Sequence, residues 1–168
     1  MESRFYTHLR SLRYSGYFLA FWAAAVAGAA LWADIQWPGQ LMRGIAPTAI
    51  ALSLVQFWSG THRIVQAWKL GKELLPIVRV SPPSFAALEL PRLDRTDRAY
   101  QVKRNIEQAL FVMGLCFTLS GVFQLSGRFL MGMGLAICLQ TAVLLVSTLI
   151  GQWQNAMYRH ELEREKHP

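Results

Sequence analysis

Apolar positions in this chain gather into long blocks. From Tyr14 to Ala33 there are 20 consecutive residues without Asp, Glu, Lys, Arg or His, and from Gly44 to Thr61 there are 18. From Gln108 to Gly127 there are again 20, and from Phe129 to Tyr158 there are 30. A helix needs roughly 20 apolar residues to cross the hydrocarbon of a bilayer, with a working range of about 17–25. The pattern therefore predicts an all-α, polytopic membrane protein with four transmembrane helices, over about 14–33, 45–61, 108–126 and 129–150. A soluble bundle would need polar stripes on these blocks, and none is wide enough.

Between the blocks the pattern changes. Phe5, Leu9 and Leu12 stand at helical spacing among Arg and His, which predicts a short interfacial helix ahead of the first span. After the second span, Ile64, Val65, Trp68 and Leu75 alternate with Arg63, Lys69 and Lys72, an amphipathic helix along the membrane surface that Pro76 should limit. The stretch VSPPSFAALELPRLDRTDR holds three prolines without clear periodicity and reads as an extended loop, with Asp94 or Thr96 capping a helix that leads into span three. Residues 62–107 thus form an insert, and 151–168 a helical tail with Trp153 and Tyr158 as an interface anchor. The whole is one membrane domain.

One local repeat stands out. IQWPGQLMRG at 35–44 and FQLSGRFLMG at 123–132 share Gln36/Gln124, Gly39/Gly127 and Gly44/Gly132 in register, 88 positions apart. Pro38-Gly39 is turn chemistry, and Ser126-Gly127-Arg128 makes a second tight connection. If the repeat reflects duplication, the chain is two in–out–in hairpins related by a two-fold axis along the membrane normal.

Composition agrees: 53% of residues are hydrophobic and 16% charged, against about 25% charged in a soluble domain. Charge adds an orientation. Fifteen of the 17 Lys and Arg lie in 1–13, 61–107 and 151–168, and only Arg43 and Arg128 lie in the two short connections. The positive-inside rule then puts both termini and the insert in the cytoplasm. A net charge of +7 needs no nucleic acid, because a basic rim beside anionic lipid is sufficient. Compact loops and this asymmetry suggest a bacterial inner membrane. The first span resembles a signal peptide, but its uncharged run is long and carries Trp22 and Trp32, so it reads as an uncleaved helix.

Chemistry is sparse. No ionisable residue lies in the middle of a span, where transporters, proton relays and intramembrane enzymes place them. Small multidrug exporters also have four helices in a short chain, but resemblance to them implies a carboxylate in the first helix, and none is present. Cys116 and Cys138 lack partners at ligand spacing, the four His lie outside the spans, and no nucleotide, hydrolase or zinc-peptidase motif occurs. No catalytic residue, cofactor or metal is expected.

Three residue sets remain as candidates. Gly16, Ala20, Ala24 and Gly28 form a small-residue ridge that favours close helix packing, against a sister helix or another subunit. Gln56, Gln140 and Thr141 are polar at depth, as glue between helices or as the lining of a pathway. His62 and Arg63, with Arg95, Arg98, Lys103 and Arg104, can meet a lipid head group or an acidic partner, or else form snorkelling and salt-bridged faces. The expectation is a non-enzymatic multi-pass protein engaged with the bilayer and another membrane protein. It would be an accessory or subunit of a larger assembly, or an immunity-type protective protein. The alternative is a small homo-oligomeric transporter or channel.

Overall fold

In the computed structural model, which describes residues 2–80, 82–123 and 127–166, four long helices take up almost the whole of these segments. They are α1 (Glu2–Gln36), α2 (Gln40–Val80), α3 (Pro82–Val122) and α4 (Arg128–Lys166). Each is long and apolar enough to cross a membrane. Their 35 to 41 residues make rods of about 52–62 Å at 1.5 Å per residue, well beyond a hydrocarbon core of roughly 30 Å. α1 packs along α2 and α3 along α4, and α2 and α4 form the seam between the two pairs.

The turn between α1 and α2 closes as its chemistry demands. The Trp37 amide donates to Ala33 O at 2.9 Å, ending α1, and the Arg43 amide donates to Gly39 O at 2.9 Å, starting α2. Pro47 therefore lies inside α2, a position that membrane helices tolerate. Gln124 and Ser126 of the second turn lie outside the described residues. The repeated glycines Gly44 and Gly132 mark the tightest point of the α2/α4 seam. A Cβ on Gly44 would run into Phe129 O, and one on Gly132 into Leu41 O. Leu41 and Phe129 are themselves 88 positions apart, so this contact is two-fold in the register of the repeat. The symmetry stops there: α1 meets α2 at Gly16 and Gly60, whereas α3 meets α4 around Gly114 and Gly134.

Two cores of different character hold the bundle. In the apolar part, the buried cluster is Ala30, Ala46, Ala49 and Ala136, small residues that let backbones approach where lipid supplies no hydrophobic drive. At the charged end, large side chains from all four helices cluster: Phe5 and Leu9, Ala67 and Val78, Phe85 and Leu93, Tyr158 and Leu162.

This second core corrects several expectations. The N-terminal arm is continuous with α1, and its Phe5 meets Phe85 edge to face at 5.3 Å, so it faces protein instead of a membrane surface. The amphipathic segment after span two is the continuation of α2, which passes Pro76 and ends at Val80. The expected loop around 80–98 is the first half of α3, so neither Asp94 nor Thr96 caps a helix. Pro82 opens α3, where a missing N–H costs nothing, and Pro91 is accommodated inside it. Phe85, Glu89 and Leu93 recur every four residues on its buried face, with Glu89 paired to Arg92. Tyr158 is not an interface anchor: it is buried and stacks on His8 at 4.4 Å, while Trp153 is exposed.

Candidate functional site

Helical periodicity puts Ser59, His62, Arg63 and Gln66 on one face of α2, and Arg92, Arg95, Thr96, Ala99, Tyr100 and Lys103 on one face of α3. These two faces line a cleft of about 390 Å³ just beyond the apolar stretches. A narrower cavity of about 60 Å³ continues inward from it, shared by Arg63, Gln66, Arg92, Thr96 and Tyr100, and ends at His8, Leu12, Leu70 and Asn155.

The groups in the cleft are mainly donors. Arg63 is only 8% exposed; its Nη1 donates to Ser147 Oγ of α4 at 3.0 Å, and its Nη2, also buried, has no partner. Lys103 Nζ lies 3.4 Å from Ser59 Oγ and 3.7 Å from Glu107 Oε1. Burial first, and the Arg63 guanidinium second, hold the Lys103 ammonium below its ordinary pKa, with Glu107 pulling the other way. Gln66 Nε2 and His62 Nε2 are 2.8 Å apart.

The carboxylates of the same segment point elsewhere. Arg159 of α4 pairs with Asp94 at 2.8 Å and lies 3.9 Å from Asp97, which also accepts from Asn155 Nδ2 at 2.9 Å. Glu107 accepts from Thr148 Oγ1 at 3.0 Å, and Glu89 is taken by Arg92. Acidic groups of this segment thus face α4 or the core, while Arg92, Arg95 and Lys103 face the cleft.

Of the basic residues singled out from the sequence, the structure brings His62, Arg63, Arg95 and Lys103 together. Arg104 Nη1 turns to Gln152 Oε1 of α4 at 3.3 Å, and Arg98 is exposed away from the cleft. Arg92, which belongs to the same run of charges in the sequence, joins them, and Gln66 and Tyr100 join without having been chosen. Gln66 stands i+4 from His62 and i+3 from Arg63 on α2, and the i+3 and i+4 spacing of Arg92 to Arg95 and Thr96 becomes visible once 82–100 is helical.

The intramembrane glutamines meet across the α2/α4 seam. Gln56 Nε2 donates to Gln140 O at 3.0 Å and Gln140 Nε2 to Ser53 Oγ at 3.0 Å, both side chains being buried and each keeping its Oε1 without a donor. Thr141 turns back on its own helix, donating to Ile137 O at 2.6 Å.

The small-residue ridge divides. A Cβ on Gly16 would meet Gly60 O at 2.8 Å, and Ala20 lies beside the same contact. Ala24 is exposed, and nothing lies within 4 Å of a Cβ placed on Gly28. The reason is geometric: steps of four overrun a 3.6-residue turn, so Gly28 sits about 120° around the helix from Gly16. The buried face of α1 follows Gly16, Leu19, Ala23 and Ala30 instead.

Among the described residues no group of three or more His, Cys, Asp or Glu gathers to hold a metal. Fold and cleft together define a multi-pass helical membrane protein with a basic cleft at the charged end of its bundle. No protein-family model, curated protein or solved structure matches the chain.

Proposed function

We propose that this protein is a non-enzymatic accessory or subunit of a larger assembly in a bacterial inner membrane, with both termini in the cytoplasm. It would consist of two in–out–in hairpins and bind a second membrane protein through α1. The observation that carries this reading is the divided ridge: Gly16 and Ala20 are used against α2, while Ala24 and Gly28 stay uncovered within the chain. An immunity-type protective role would use the same face. The basic rim of 15 Lys and Arg supports the orientation. A transport pathway would draw on Gln56, Gln140 and Thr141, and their hydrogen bonds inside the chain favour the accessory reading over that one.

The test is native mass spectrometry of the tagged protein, gently extracted from its host's membranes. A second polypeptide at fixed stoichiometry is expected, and Ala24→Leu with Gly28→Leu should release it while the protein stays folded. A homo-oligomer with no second polypeptide, unchanged in the double variant, overturns the reading.

A further inference from the structure

We infer that the cleft between α2 and α3 is a phosphate-binding site, with Arg63 at its inner wall and Arg95 and Lys103 at its rim. Three observations converge on an anion with several acceptor oxygens, and they are independent of the proposed accessory role.

The first is charge segregation. His62, Arg63, Arg92, Arg95 and Lys103 line the cleft, and no carboxylate does. Asp94 and Asp97 are engaged by Arg159 and Asn155 on the α4 side, and Glu89 by Arg92. Glu107 approaches only from beneath, sharing Lys103 with Ser59 and accepting from Thr148. Among the described residues no carboxylate pairs with Arg63 or Arg95. With Arg92 joined to Glu89 and Lys103 to Glu107, Arg63 and Arg95 are the guanidiniums at this cavity that a bound anion would join.

The second is Arg63 itself. A guanidinium has only donors and cannot shed its charge in a protein. This one is more than nine-tenths buried, with Nη1 fixed by Ser147 and a buried Nη2 that has no hydrogen-bond partner, and the residue lines both cavities. A buried donor left unsatisfied is costly, and a phosphate oxygen in the cleft would supply the missing acceptor.

The third is size and position. At about 390 Å³ the cleft falls at the small end of the range for ligand sites, enough for a phosphate and a compact attached group. Its Ser59 and Lys103 end borders the apolar stretches, where a phospholipid phosphate lies, while Arg95 at the other end is exposed. A head group entering from the bilayer and a free phosphate entering from water would meet the same donors.

The experiment uses the full-length protein in phosphatidylcholine nanodiscs, with and without phosphatidic acid. Native mass spectrometry counts retained lipid, and titration with inorganic phosphate measures binding from water. Retention of phosphatidic acid over phosphatidylcholine identifies the lipid source, and saturable binding of inorganic phosphate alone identifies the soluble one. In either arm Arg63→Gln is expected to weaken binding about tenfold or more, the scale of a lost charge-assisted bond. Arg95→Gln, at an exposed position where folding is not at stake, should weaken it several-fold. Arg98→Gln, outside the cleft, should leave it unchanged. No binding above the Arg95→Gln level in either arm overturns the site. So does an equal loss in Arg98→Gln, which would mark diffuse attraction to a basic surface.

Discussion

Single residues set the closest approaches in this protein, and glycine does so where α2 crosses α4. The Gly44 and Gly132 backbones leave no room for a Cβ, because the obstructing atoms are carbonyl oxygens of the facing helix and cannot swing aside. Gly132→Leu should therefore destabilise the bundle by more than the usual overpacking cost of about 1–3 kcal/mol. Gly28→Leu, where a side chain meets open space, should change the melting temperature little in detergent. Thermal unfolding of the two variants side by side checks the contrast. His8 sets a different limit. Burial first, and the nearby Arg92 guanidinium second, push its pKa down to about 4, so the folded protein holds it neutral against Tyr158. The unfolded chain binds a proton near pH 6.5, so stability is lost as pH falls from there toward 4, by about 3 kcal/mol at full effect. His8→Phe keeps a ring for the stack and removes the titration. The difference in melting temperature between wild type and variant should then shift in the variant's favour over that window.

At the level of elements, the four spans were legible because length and lack of charge are what a bilayer selects. The tight turn at Pro38-Gly39 was legible for the same local reason. The first half of α3 was not. Pro82, Pro83 and Pro91 read as breakers, and its buried stripe is interrupted by a carboxylate, Glu89, that is tolerable only because Arg92 neutralises it. With the stretch before Asp94 not read as helix, Arg92 had no place on one face with Arg95, Thr96 and Tyr100, and the cleft was named through His62, Arg63, Arg95 and Lys103. The ridge on α1 was half legible, since steps of four and the true burial period agree only over its first turns. The helical reading of 82–98 has a direct check. Arg92, Arg95 and Arg98 should resist trypsin in the folded protein, and Leu93→Ala, which removes a fully buried side chain at a cost of about 2–5 kcal/mol, should open them to cleavage. Rapid cleavage of the wild type at these sites would contradict a packed helix.

The molecule as a whole is built for two solvents. Helices of about 52–62 Å cannot be matched to a hydrocarbon layer of roughly 30 Å, so one end of the bundle stands in water and must be held by other means. Inside lipid, apolar side chains gain nothing by leaving their surroundings, and the helices instead touch through Ala and Gly and through the Ser53–Gln140–Gln56 hydrogen bonds. Beyond the membrane, burying Phe5, Phe85, Leu93 and Leu162 removes apolar surface from water, with about 25 cal/mol gained for each Å². The two ends should therefore fail separately. Hydrogen exchange on the protein in nanodiscs is the measurement, read by peptide. Leu93→Ala should raise exchange in the charged-end parts of α2, α3 and α4 while the α2/α4 seam around Gly44 and Gly132 stays protected. Gly132→Leu should do the reverse, loosening the seam and sparing the Phe5–Phe85 core. If either variant deprotects both ends equally, the bundle unfolds as one unit and the division by solvent is wrong. A split response would instead mean that the charged end can open beside its basic cleft without disturbing the spans, since Leu12 and Leu70 line the inner cavity and also pack against that core.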